Sequence, residues 1–316
     1  MTRPCPGPDY DIRPPKMAPP PNSCDTQAHV FGPSARFPYA DGRGYTPPDA
    51  PIDSYLRLLD ILGMDRGVIV HGSAHGTDIR VTLAGIASAP DRLRGVAVIA
   101  PDVADAELEA MAEGGIRGIR LSTMLKGAIG TDQLEFMADR IKPLGWHIVI
   151  HLDKVDEIAE LEPRLRRLPV DVVIDHLGRV RGAQGVDHPG FQALLSLLRD
   201  SDHCWAKLSS WCRLLDQGAP YDDMTPLAAA LIAARRDRVI WGSNGRTRSC
   251  GTMPCRMMAT FWISSWAGPA TTPPASRSWS TIPPPCTGFP ELRLDPAVGE
   301  RRYCRPHETE IHHHDD

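Results

Sequence analysis

Nothing in this 316-residue chain approaches the roughly 18 consecutive apolar residues that a membrane-spanning helix needs. Positive charge is not in excess either: 35 Lys and Arg stand against 39 Asp and Glu, a formal net charge of −4. That removes the electrostatic footprint of a nucleic-acid or membrane-surface binder. The eight cysteines form no CxxC pair. Scattered thiols in a chain of this size read as small buried hydrophobes, not as a disulfide framework or a zinc cluster. Residues 1–21 lack the apolar centre of a signal peptide, so a cytoplasmic protein is expected. No glycine-rich dinucleotide loop follows any strand-like run, which counts against an open nucleotide-binding sheet. The last absence is local: no Asp or Glu occurs between Asp237 and Glu291.

What is present is an alternating period. Residues 1–22 are proline-rich and read as an extended or disordered arm. A first strand is expected over 24–30, followed by a polar loop over 31–51 carrying Arg36, Tyr39, Arg43 and Tyr45. A loop of about twenty residues inside a compact domain is usually functional. Amphipathic helical patterns then occupy 52–62, 78–89, 102–113, 132–143, 155–168, 191–199 and 225–236. Between them, short Val/Ile runs predict strands at 67–71, 95–99, 116–121, 147–151, 170–176, 204–209 and 238–242. Runs of this kind, without polar alternation, belong to strands covered on both faces. Eight strands and seven helices in strict alternation predict an α/β fold, a (β/α)8 barrel of TIM type over 23–244. An eighth helix is due after Gly242 and is missing from the pattern.

From residue 245 to 316 the composition changes. Trp262, Trp266, Trp279, Cys250, Cys255 and Cys286 fall among Pro, Ser, Thr and Arg with no helical period. A disordered tail is poor in Trp and Cys, and Cys250 and Cys255 lack zinc-site spacing. An out-of-frame tail is the reading that fits best. Gly245-Arg246-Thr247-Arg248 can be written GGC CGC ACC CGG, and one T restored before it gives TGG CCG CAC CCG, or Trp-Pro-His-Pro. The stretch from Arg277 to Pro283, written AGA TCC TGG TCG ACA ATC CCG, contains Ile-Leu-Val-Asp-Asn-Pro in another phase.

A parallel barrel carries its catalytic groups at the C-terminal ends of its strands. In chain order these ends offer Gln27 and His29; His71, Ser73 and His75; Arg120 and Ser122, with Lys126 in the loop; His151 and Asp153; Asp175 and His176; Lys207, Ser209 and Arg213; and Ser243 and Asn244. Arg120, Lys126 and Arg213 suit an anionic substrate, because guanidinium groups pair with carboxylates through double hydrogen bonds. His176 could polarise a carbonyl or stabilise an oxyanion. Surface ion pairing is the competing reading for the three cations, and a satisfied core position for each histidine.

The motifs Asp25-Thr26-Gln27-Ala28-His29-Val30-Phe31-Gly32-Pro33, Val70-His71-Gly72-Ser73, Gly118-Ile119-Arg120-Leu121, Ile174-Asp175-His176-Leu177-Gly178, Lys207-Leu208-Ser209 and Trp241-Gly242-Ser243-Asn244 together resemble the amidohydrolase superfamily. The branch is the one containing 2-pyrone-4,6-dicarboxylate hydrolase and the sugar-lactone and muconolactone hydrolases. The resemblance implies a barrel that hydrolyses carboxylate-bearing lactones, with a small anionic lactone as partner and no nucleic acid or membrane. It puts Gln27 and His29 at the strand-one His-x-His place and His176 near the lactone carbonyl. Asn244 stands where the family has the aspartate that activates water. Tyr45, Ser73, Arg120, Lys126 and Arg213 stand where it holds substrate carboxylates. Some members of the branch use one divalent ion and some none. Here Gln27 and Asn244 both depart from the pattern, so no metal is expected; were Zn or Mn to bind, His29 and His176 would be its ligands. An isomerase or lyase working by histidine proton transfer, and a catalytically impaired relative, are the alternatives. The family also continues its last strand with Trp-Pro-His, as the restored frame does.

Overall fold

The Val/Ile runs become eight parallel strands. In the computed structural model, which describes residues 3–4, 12, 14–15, 18–124, 129–216 and 222–245, they are β1 (Cys24–Ala28), β2 (Arg66–Val70), β3 (Leu93–Ala97), β4 (Ile116–Ser122), β5 (His147–His151), β6 (Val172–Ile174), β7 (Cys204–Leu208) and β8 (Val239–Trp241). Each pairs with its neighbour in chain order. Helices follow them: α1 (Ile52–Leu62), α2 (Arg80–Ser88), α3 (Asp105–Glu113), α4 (Leu134–Ile141), α5 (Glu157–Leu165), α6 (Pro189–Asp200) and α7 (Thr225–Arg235). The expected barrel is therefore present, nearly closed. The place of the eighth helix and the tail expected to be out of frame lie outside the described residues, as does the whole unit Cys286–Asp316. Among the described residues no helix is long and apolar enough to cross a membrane.

Local chemistry sets the helix ends. α1 stops at Gly63, whose left-handed φ of 71° lets its N–H reach back to the carbonyls of Asp60 and Leu59. α3 begins where the Glu107 carboxylate accepts the Ala104 N–H at 3.1 Å. α6 opens on Pro189, which has no N–H to leave unpaired in a first turn.

Strand alternation divides the apolar residues into two cores. One lies between strands and helices and includes Leu59, Ile69, Leu93, Ile119, Ile148, Phe191 and Leu231. The other fills the barrel: Val70, Val96, Val149 and Val173, with Val68, Trp205 and Ile240 packed against them. This plug closes the barrel below, so polar side chains further along the same inward faces are held at the C-terminal mouth.

Side chains and loop backbone, not a ladder, close the seam between β1 and β8. The Thr26 hydroxyl donates to the Trp241 carbonyl at 2.7 Å. The Asn244 N–H donates to the Gln27 carbonyl at 2.7 Å. Asp25 accepts the Ser243 N–H at 2.8 Å and the Ser243 hydroxyl at 2.5 Å. Gly242 is required here: a Cβ would sit 2.3 Å from the Gln27 Cβ and 2.8 Å from its backbone nitrogen. Arg3–Pro4, in the proline-rich segment, pairs in parallel with Tyr45–Thr46 of the long loop.

Candidate active site

The floor of the mouth is a buried charge cluster. Asp175, just past β6, has no exposed surface, and its two oxygens meet two cations. Arg120 of β4 donates from Nη2 to Oδ2 at 2.9 Å, and the Lys207 ammonium of β7 lies 2.8 Å from Oδ1. Burial alone would raise the Asp175 pKa, but the charges of Lys207 and Arg120 outweigh it and hold the carboxyl well below its usual range. Burial pulls the Lys207 ammonium down, and Asp175 pulls it back. With the carboxylate held ionised at contact distance, the pair stays charged. Lys207 also donates to Gln27 Oε1 at 2.8 Å, which ties β7 to β1 across the barrel.

His176 leaves the strand in a left-handed conformation, φ 55°, followed by Leu177 at 53° and Arg179 at 65°. Such backbone is costly, of order 1–3 kcal/mol per residue, and persists where surrounding contacts enforce it. This turn is why the β6 ladder covers only Val172–Ile174 although the apolar run suggests 170–176. His176 Nδ1 lies 2.7 Å from Ser209 Oγ and its Nε2 lies 3.4 Å from Arg120 Nη2. A guanidinium can only donate, so Nε2 carries the lone pair and Nδ1–H donates to Ser209. Burial, joined by Arg120 and Lys207, draws the His176 pKa well below its ordinary value against the pull of Asp175, so the ring is neutral. His151 meets it edge-on at 5.1 Å between ring centroids.

His29 stands half-buried at the end of β1. Its Nδ1–H donates to the Val70 carbonyl at 2.7 Å, which leaves the lone pair on Nε2. Burial and the charge of Arg120 bring its pKa down to about 4. Asn244 takes up a φ of 61°, a conformation asparagine tolerates better than most residues. Its Nδ2 and the Gln27 Nε2 are both buried without a hydrogen-bond partner.

The structure thus brings Gln27, His29, Arg120, His176 and Asn244 together. Tyr45 belongs to an aromatic wall beside them: Phe31 meets Tyr45 edge-on at 6.3 Å, stacks on His75 at 5.9 Å and lies 5.9 Å from His29. Ser73 opens the turn of Ser73–His75 in that wall. Arg213 is exposed at the end of Trp211–Arg213, and its charge acts on both His29 and His176. Lys126 lies outside the described residues. Asp175 and Lys207, strand-end groups without an assigned role in the sequence, prove central. The one signal for Lys207 was an ammonium within the otherwise apolar run Cys204–Leu208.

A divalent metal does not fit these donors. Among the described residues no group of three or more His, Cys, Asp or Glu is arranged to hold one. Gln27 spends its oxygen on Lys207, Asp175 has both oxygens in ion pairs, and the His176 lone pair faces Arg120. Of these four side chains, His29 alone keeps a lone pair that no neighbour takes up, on Nε2.

Comparison with known proteins agrees with the geometry. A family model described as Amidohydrolase matches residues 24–298, through the segment that composition set apart. The 4-sulfomuconolactone hydrolase of Hydrogenophaga intermedia is 37% identical over 243 residues, 76% of this chain and 80% of the relative. The 2-pyrone-4,6-dicarboxylate hydrolase of Comamonas testosteroni is 36% identical over 240 residues, 73% and 78% of the two chains. The crystal structure of an Agrobacterium tumefaciens protein in its apo form superposes with a TM-score of 0.69 at 27% identity, covering 79% of this chain and 91% of that one.

Proposed function

Since the chain belongs to the amidohydrolase family, we propose that it opens the ring ester of a small carboxylate-bearing lactone by attack of water. The substrate class is that named for its relatives, 2-pyrone-4,6-dicarboxylate and 4-sulfomuconolactone. The observation that carries this reading is the gathering of cations at the mouth. Arg120 and Lys207 share one carboxylate, Asp175, and Arg213 adds a further cation at the rim. An anion completes that arrangement.

In this reading water attacks the lactone carbonyl carbon and gives a proton to His29 Nε2, the site's exposed lone pair. The carbonyl oxygen gathers charge opposite the buried N–H groups of Gln27 Nε2 and Asn244 Nδ2. The ring C–O bond then breaks, and the leaving oxygen takes the proton back from His29. Free His29 is a weak base because burial and, after it, the charges of Arg120 and Arg213 depress it. A bound dicarboxylate neutralises those charges and raises its pKa, so substrate assembles its own base. Tyr45 and Ser73 are the carboxylate contacts in this reading, and Lys126, expected as a third, lies outside the described residues. Asn244 has no basic lone pair and orients the water.

The test is turnover of both lactones by purified protein, read as loss of ring absorbance between about pH 7 and 9. Ring opening of either supports the reading. A folded sample that opens neither above a buffer blank refutes it. The amide at 244 also favours a second reading, isomerisation by proton transfer at His29. Deuterium entering recovered substrate without ring opening distinguishes the two.

A further inference from the structure

We propose that Lys207 is a positioning residue that takes the place of a divalent ion: it fixes the Gln27 amide so that a metal-ligand position becomes a hydrogen-bond donor. The exclusion of metal stands on the donor geometry alone. The role of the donor rests on the lactone-hydrolase reading.

An ammonium has three donors and no acceptor. Lys207 is 2% exposed, and Nζ touches Gln27 Oε1 and Asp175 Oδ1, each at 2.8 Å. Gln27 must therefore turn its oxygen to Lys207. Its Nε2 then points away, buried and without a partner. The amide has little room to swing, because Gly242 packs so closely that even a Cβ there would reach 2.3 Å from the Gln27 Cβ. The backbone is held as well, with the Gln27 N–H on Asp25 at 3.1 Å and the Gln27 carbonyl taking the Asn244 N–H at 2.7 Å. A metal ion needs lone pairs, and the one oxygen that Gln27 could offer is occupied by a cation. Lys207 and Arg120 also occupy both oxygens of Asp175, which leaves that carboxylate no free lone-pair face for an ion. What the site keeps is an N–H donor held in position before substrate arrives, the arrangement that stabilises a developing oxyanion without reorganisation.

Two measurements on the full chain test this. The first is Co²⁺ titration, read by visible d–d absorbance, on the wild-type protein, Gln27→His and the double variant Gln27→His, Lys207→Met. Wild-type and Q27H proteins are expected to show no bound-Co²⁺ band, because Lys207 holds the strand-one acceptor in both. The double variant, freed of the ammonium and given an imidazole, gains the band. Stoichiometric Co²⁺ in wild-type or in Q27H protein overturns the exclusion. This readout needs no substrate, so it holds its meaning if wild-type protein opens no lactone, an outcome that would count against the functional reading alone. The second is Gln27→Glu, which keeps an oxygen for Lys207 and replaces the donor with an anion. With an unchanged thermal melt, kcat is expected to fall by about 10²–10³-fold, the size of a lost oxyanion donor, with KM within about threefold. A Q27E protein with wild-type kcat, or one whose loss lies in KM, overturns the donor role. Should the double variant fail to fold, Q27H and Q27E still decide the matter.

Discussion

Replacing Asp175 by Asn tests whether the floor of the mouth is a true buried ion cluster. The substitution keeps volume and removes one charge. Asn presents one oxygen and one NH2 group. Arg120 and Lys207, which now contact the two carboxylate oxygens at 2.9 and 2.8 Å, can share only the oxygen. Whichever cation faces Nδ2 meets another donor. Both cations are buried, 3% and 2% exposed, so water cannot take over. Removing one partner from a buried ion pair costs about 3–5 kcal/mol because it leaves an uncompensated charge. At roughly 2–4 °C per kcal/mol for a domain of this size, the melting temperature should fall by about 6–20 °C. Thermal denaturation of wild-type and D175N proteins measures it. Asp78→Asn is the control: its partner Arg80 has a side chain 65% exposed, and such pairs contribute below about 1 kcal/mol. If D175N costs no more than D78N, the cluster is not what the distances imply.

Gly242→Ala should destabilise by about 1–3 kcal/mol through overpacking and lower kcat by displacing Gln27, whose Cβ would lie 2.3 Å from the new methyl; wild-type stability and rate would refute the tight seam. His29→Ala should reduce kcat by about 10²–10⁴-fold, the worth of a general base, and a smaller loss in initial-rate assays removes His29 from that role. Stability should fall in acid: burial draws His29, His71 and His147 from 6.5 to about 4, 3 and 4, so the unfolded chain binds their protons first. Their contribution, about 3 kcal/mol or more each, is present above about pH 6.5 and is lost as pH falls toward 4. Asp25, raised by burial from 3.8 to about 6, acts oppositely, favouring the fold below 3.8 and losing that contribution as pH rises through 6, but the buried histidines, His151 and His176 among them, outnumber it. Circular dichroism should therefore show cooperative unfolding between those limits, and a flat signal down to pH 4 would refute it. Sequencing the gene across codon 245 should reveal a missing T, and clean in-frame DNA encoding this same protein would sink the frame reading.

The barrel was legible because its strands are covered on both faces. Gly67-Val68-Ile69-Val70 and Ile148-Val149-Ile150 have nowhere polar to point, and the helices between them keep one apolar stripe. Strand ends were less legible. Nothing in Val170 to His176 announces that the chain turns left-handed at His176, since that backbone is enforced by contacts from Arg120 and Ser209. The long-range pairings were not legible at all. Gln27 meets Lys207 across 180 positions and Asp25 meets Ser243 across 218, and no local period encodes which inward residue faces which. His71 shows the same limit: a strand-end histidine in the sequence, it points outward and bonds Thr82 of α2 at 2.8 Å.

The two departures from the family pattern have one electrostatic consequence. A strand-one imidazole and a strand-eight carboxylate would offer lone pairs and negative charge to a cation. Gln27 spends its oxygen on Lys207, neither amide carries negative charge, and each leaves an N–H group buried at the mouth without a hydrogen-bond partner. Arg120 beside His29 and Arg213 exposed at the rim make the mouth of the free protein cationic and rich in donors, and His29 is suppressed to about 4. A site so arranged is poor at holding metal and poor at attacking a neutral ester. It improves when a ligand brings negative charge, because that charge both fills the donors and releases His29. Selectivity for anionic lactones and activation of the base then have a single cause, and a neutral lactone of the same ring size should bind weakly and, once bound, still react slowly.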